Sequence, residues 1–298
     1  MARLISLQPL QKRKKPFNQL ICLKKFFVLL FMIPYFTFAG IKKEKDIAYA
    51  DKGERNLLDV YFPKDTEVQK DVIVFIHGGS WRSGSKDTYW FLGNNFARKN
   101  KVAVIINYPL APKAKYQEMA FDCAKAVKWV AENIKKYGGN PNRIFVMGHS
   151  AGAHLGALIN QDEQYFKQAG IKNSIKGMIL NDAFGLNINE YMKAQINTDD
   201  EYVSGFLEVF GNDEKNWFKA SPINYVQGVK NPYLMFFGGK TYPSIKRESP
   251  FFHQTLLANN KKSSITEVKG KKHIGMLTQM LFGWNKLYDD ILDFMGKN

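Results

Sequence analysis

Ser150 stands between two glycines in GHSAGAHL, residues 148–155, a setting that suits a nucleophilic hydroxyl. A serine attacks a carbonyl when a base takes its proton and when amides stabilise the oxyanion that forms. Two other stretches offer those parts. HGGSW, residues 77–81, places paired glycines where backbone amides can point at an oxyanion with no side chain between them. GKKHIGM carries His273 in a glycine-flanked loop near the end of the chain. The chemistry implied is acyl transfer, with Gly78, Gly79 and the amide of Ala151 as oxyanion donors and Trp81 beside the substrate.

The base is found by elimination among five histidines. His77 belongs to the glycine loop, His149 precedes the serine inside its turn, and His154 lies one turn into the helix that follows, so each has a structural account. His253, in FFHQTLLANN, falls on a helix face. His273 sits where a loop can bring an imidazole over a sheet edge to the serine.

Elements must hold these groups. RIFVM, residues 143–147, is a short apolar run of the kind that forms a buried parallel strand, and small residues from Ala151 to Ala157 let a helix start against the sheet. A strand and a helix flanking GxSxG make a nucleophile elbow, whose strained turn exposes the hydroxyl while the helix start supplies amides and positive dipole. The pentapeptide alone arises by chance in roughly one chain in ten of this length; its flanks and the second glycine motif give it weight. Further strands are expected at 57–63, 72–77, 102–107, 177–182, 232–239 and 263–268, with helices at 86–100 and 117–136. Strands alternating with helices imply a mostly parallel sheet flanked by helices. Residues 183–231 lack a clean strand and are rich in polar residues, which predicts a small helical cap over the site.

At 298 residues and 45% hydrophobic content the chain can bury one large α/β core, expected over residues 40–298 as a single domain. The first 39 residues hold seven basic and no acidic side chains, so of the formal +16 the remainder carries +9. Its lysines are scattered apart from Lys269, Lys271 and Lys272, and no helix bears a basic stripe with interleaved aromatics, which argues against nucleic-acid binding. The front reads as an export signal with possible cleavage after Ala39, because its apolar run is shorter than the roughly 20 residues of a spanning helix and Pro34 interrupts it. A periplasmic or secreted location follows, with membrane contact only through that segment if it stays uncleaved. Cys123 is then the one remaining cysteine, in a helix facing the core.

Over residues 56–294 the chain resembles the α/β hydrolases of the hormone-sensitive-lipase and feruloyl/acetyl-esterase (BD-FAE-like) type, including arylformamidase-like carboxylesterases. The resemblance rests on LLDVYFP, FIHGGSW, NYPLAP, NPNRIFVMGHSAGAHL, KASPINYV and the final GKKH. It implies an α/β-hydrolase fold, Ser150 as nucleophile, His273 as base and an oxyanion loop at Gly78 and Gly79. The acid does not transfer. Such enzymes place Asp or Glu just after the strand that here is PYLMFFGG, yet Thr241 stands there. Asp182, ending GMILND, and Glu248, in IKRES, both keep the order serine, acid, histidine and remain the alternatives.

The expected activity is hydrolysis of a small carboxylic ester through an acyl-enzyme on Ser150, with no metal and no cofactor. A formamide or other amide is the alternative substrate on the same site. A binding protein that kept the fold and lost its chemistry is the rival of another class, motivated by Thr241. A structural protein held at a membrane by the front segment is a third.

Overall fold

Apolar runs set the centre of the sheet, because a strand covered by helices on both faces shows no side to water. The structure, a computed structural model, describes residues 40–298 apart from 52, 197, 199 and 200. The export segment expected at 1–39 lies outside the described residues. Eight strands, β1 (Ile41–Ala48), β2 (Leu57–Pro63), β3 (Lys70–Ile76), β4 (Val102–Ile106), β5 (Gly139–His149), β6 (Ile175–Asn181), β7 (Tyr233–Gly238) and β8 (Ser263–Val268), form one sheet. Its order is β1-β2-β4-β3-β5-β6-β7-β8. β2 pairs antiparallel with β1 and β4, and every other pairing is parallel.

Helix α1 (Trp90–Arg98) follows β3, α2 (Tyr116–Asn133) joins β4 to β5, and α3 (Ala151–Gln161) with α4 (Gln164–Ala169) joins β5 to β6. Between β6 and β7 come α5 (Ile188–Gln195), α6 (Glu201–Phe210) and α7 (Glu214–Lys219), the helices of the expected cap region. α8 (Pro243–Ala258) joins β7 to β8, and α9 (His273–Thr278) and α10 (Lys286–Lys297) close the chain. Successive side chains of β3 go to opposite layers, as the two-residue period of a strand requires. Val72, Val74 and Ile76 pack with Ala120, Val127 and Leu155 of α2 and α3, whereas Ile73 and Phe75 pack with Leu92, Phe96 and Ile291 of α1 and α10. Helices therefore cover both faces, and the α/β-hydrolase expectation is met.

β1 was not expected. Its sequence, IKKEKDIA, is charged and largely exposed, with no apolar alternation to reveal it. Among the described residues it pairs with β2 alone, and charges along an edge strand disfavour pairing with another chain. β5 starts earlier than the run 143–147, at Gly139, where the register against β3 shifts between Lys70 and Val72. Among the described residues no helix is long and apolar enough to cross a membrane.

Candidate active site

The turn from β5 into α3 holds Ser150 at φ 55°, ψ −124°, a region that costs a non-glycine residue about 1–3 kcal/mol. Its neighbours explain why glycine flanks it. A Cβ at Gly148 would lie 2.4 Å from the amide of Ala153, and one at Gly152 would lie 2.1 Å from the carbonyl oxygen of Ile76. Both contacts are with backbone, so nothing nearby can turn aside. The serine amide donates to the carbonyl of Asn181 at 3.2 Å, tying the turn to the end of β6.

Ser150 Oγ lies 2.9 Å from His273 Nε2, and His273 Nδ1 lies 2.6 Å from Asp182 Oδ2. Asp182 follows β6 directly and is wholly buried. Its other oxygen, Oδ1, accepts from the amide of Gly238 at 2.7 Å, while the Thr241 hydroxyl donates to Oδ2 at 2.5 Å. Thr241, at the position where the resembled enzymes hold the acid, thus orients a carboxylate supplied by the neighbouring strand. Glu248, the alternative, is buried elsewhere: its Oε2 accepts from the amide of Asn187 at 3.2 Å, at the start of α5. Burial pushes its pKa up to about 7.

The other histidines surround this line without joining it. His149 stacks on His273 with ring centroids 4.8 Å apart and donates from Nε2 to the His273 carbonyl oxygen. Burial, reinforced by the neighbouring His273, pushes its pKa down to about 3, so it adds no second charge beside the base. Burial likewise takes His77 and His154 down to about 4. His154 Nε2 donates to the Ala220 carbonyl at 2.7 Å, and its Nδ1 accepts from the Trp81 indole at 3.2 Å. His253 lies apart, on α8, with Nδ1 2.9 Å from the Ser263 hydroxyl.

A cavity of about 590 Å³ opens over Ser150. Gly79, Ser80 and Ala151 border it on the oxyanion side. Gly78 is not among the bordering residues; a Cβ there would lie 2.9 Å from the His149 carbonyl oxygen and 3.0 Å from the Ser150 Cβ, so the glycine loop passes tightly over the elbow. Ala151 opens α3, so its amide has no intrahelical acceptor. Trp81 lines the cavity as expected, although it is fully buried, and stands edge-on to Phe206 and Phe210, which ties it to the aromatic wall.

Sequence reasoning missed that wall. Phe184, Tyr191 and Phe206 from the cap region line the cavity together with Tyr242 and Ile274. Tyr242 also packs its ring 4.9 Å from that of His273. The signal was faint, since these aromatics are dispersed through polar sequence without a strand period. Among the described residues, no three His, Cys, Asp or Glu side chains are grouped so as to hold a metal ion.

A family model described as BD-FAE matches residues 58–256. The chain belongs to the BD-FAE family. Isoprenylcysteine alpha-carbonyl methylesterase of Arabidopsis thaliana is 29% identical to this BD-FAE chain over 275 residues, covering 87% of it and 64% of the relative. Kynurenine formamidase of Salmo salar is 24% identical over 253 residues, covering 83% and 80%. Esterase B from Lactobacillus rhamnosis, a solved structure, superposes with a TM-score of 0.71 at 16% identity, covering 93% of both chains, a likeness of fold. The BD-FAE chain spans less than two thirds of the length of the plant methylesterases it matches.

Proposed function

We propose that the chain is a serine hydrolase that cleaves small carboxylic esters through an acyl-enzyme on Ser150. One observation carries the reading: an unbroken line of contacts from Ser150 through His273 to a buried carboxylate, opening on an apolar-walled cavity. In this reading His273 Nε2 takes the hydroxyl proton as Oγ bonds to the ester carbon. The tetrahedral oxyanion meets the amides of the Gly78–Gly79 loop and of Ala151. Collapse expels the alcohol, which leaves with the proton held on His273. Water then attacks the acyl group, gives a proton to the same nitrogen, and the acid departs as Ser150 regains its hydrogen. Asp182 keeps Nδ1 protonated throughout and faces the ring each time it turns positive.

Relatives named as methylesterase and formamidase support two substrates for such a site, and the ester comes first because the methylesterase is the more similar. Turnover of a short-chain aryl ester is expected to exceed that of the matching N-formyl arylamine, and cleavage of the amide alone would reverse the order. A fluorophosphonate is expected to label folded protein at Ser150 and not the Ser150→Ala variant. Absence of an adduct would leave a binding protein with the hydrolase fold. The basic, then apolar, front segment supports export of the chain; fractionation is expected to find it outside the cytoplasm.

A further inference from the structure

Four of the large apolar side chains exposed on this chain fall within eleven residues: Ile274, Leu281, Phe282 and Trp284. Trp284, at 81% exposure, is the most exposed of them. The stretch begins at the candidate active site, because Ile274 follows His273 and borders the cavity. Leu281 lies seven residues further, at the end of the 3-10 turn that follows α9, and the rings of Phe282 and Trp284 stand 5.0 Å apart.

The exposure is built in. Asn95 of α1 donates to the carbonyls of Met280 at 3.1 Å and Leu281 at 3.3 Å, and the Tyr288 hydroxyl donates to Met280 at 2.7 Å. Single exposed apolar residues are ordinary, whereas a run of them that starts at a cavity and is held by buried hydrogen bonds marks a surface that something covers.

Charge identifies the occupant. The loop into His273 carries Lys269, Lys271 and Lys272, and the amide of Lys240 donates to the Lys271 carbonyl at 2.9 Å, which adds a fourth lysine from the neighbouring strand end. The acidic groups of this region are Glu267 on β8 and Asp289, Asp290 and Asp293 on α10; Asp290 and Asp293 are paired with Lys286 and Lys297, so the four lysines still exceed the two remaining carboxylates. A stretch that runs from a lysine-rich loop through exposed apolar residues to a pair of aromatic rings suits the boundary between acyl chains and anionic headgroups. We propose that this rim docks on an anionic lipid surface, with Phe282 and Trp284 entering the headgroup region and the lysines facing its phosphates, so that an ester dissolved in lipid reaches the cavity past Ile274. The docking stands independently of the esterase reading; the delivery of substrate rests on it.

No tryptophan lies within residues 1–39, so tryptophan quenching in the full chain reports the body and not the front segment. With phosphatidylcholine vesicles brominated on the acyl chains, quenching is expected when phosphatidylglycerol is included, to weaken with added salt, and to fall at least about twofold in Trp284→Ser. Unquenched wild-type protein, or a Trp284→Ser variant quenched as fully as wild type, overturns the proposal. In a second arm, Phe282→Ser/Trp284→Ser keeps its rate on a soluble aryl ester and loses roughly tenfold on the same ester held in anionic vesicles. Equal loss on both forms overturns delivery, since that is a structural defect. If wild type turns over neither form, the esterase reading fails and the quenching still decides the docking. A dimer that Trp284→Ser dissociates, with vesicle quenching unchanged, assigns the patch to a second copy of this chain and overturns the proposal as well.

Discussion

At the scale of single residues, the candidate site hinges on a carboxylate that has changed strands. Asn181 and Phe236 pair across β6 and β7, so the loops that follow these strands begin side by side. A carboxylate rooted on either loop can face the same imidazole nitrogen. Here Asp182 does so, and Thr241 gives it a hydrogen bond. The two should differ sharply in consequence. Asp182→Asn is expected to lower kcat on an aryl ester about 10⁴-fold, because the amide cannot hold the reactive tautomer or balance the imidazolium. Thr241→Val removes one hydrogen bond to a charged group, worth about 1.5–3 kcal/mol, so kcat should fall between roughly ten- and hundredfold with KM little changed. Steady-state kinetics of the two variants checks the order, and equal losses would mean that Asp182 is not the anchor. Sequence order left Asp182 and Glu248 open together because both precede His273. Only the distances through space part them: one accepts from the imidazole, the other from an amide at the start of a cap helix.

Elements differ in how openly the sequence announces them. Strands β3, β4 and β5 were legible because burial on both faces leaves them continuously apolar, and the elbow because two backbone contacts admit only glycine. β1 was hidden: an edge strand held by main-chain hydrogen bonds needs no apolar pattern of its own. The wall of the cavity was hidden too, since Phe184, Tyr191 and Phe206 meet through tertiary packing from separate segments, with ring centroids 5.1 to 5.6 Å apart. The elbow yields the firmest prediction at this scale. Gly152→Ala drives a methyl into the Ile76 and His77 carbonyls, where overpacking costs about 3 kcal/mol because backbone cannot rotate away. A fall in Tm of roughly 10 °C is expected, and an unchanged Tm would show that β3 and α3 can separate at small cost.

Across the whole molecule, buried ionisable groups of opposite kind set the dependence of stability on pH. His77 and His154, near 4, and His149, near 3, stay uncharged in the fold. The unfolded chain gains a proton at each below about pH 6.5, so these three remove stability as pH falls from there toward 4 and below. Glu248 works with the other sign, since its pKa of about 7 stands above the ordinary 4.5. Between those values the fold keeps a proton that the unfolded chain has lost, and this group alone makes stability decline as pH rises. From pH 4.5 to 6.5 three histidines oppose one glutamate, so stability should still climb with pH, then slip slightly on the way to 7. Glu248→Gln isolates the smaller contribution. It removes the cost of burying a carboxylate, about 3 kcal/mol from a shift of that size, at pH 8 but not at pH 4. Thermal unfolding of variant and wild type at both values is expected to show a higher Tm for the variant at pH 8 alone. A lower Tm at pH 8 would mean that the attraction of Arg247, 3.9 Å from Glu248 Oε1, together with the Asn187 amide, outweighs desolvation and makes the ionised side chain a tether for the cap.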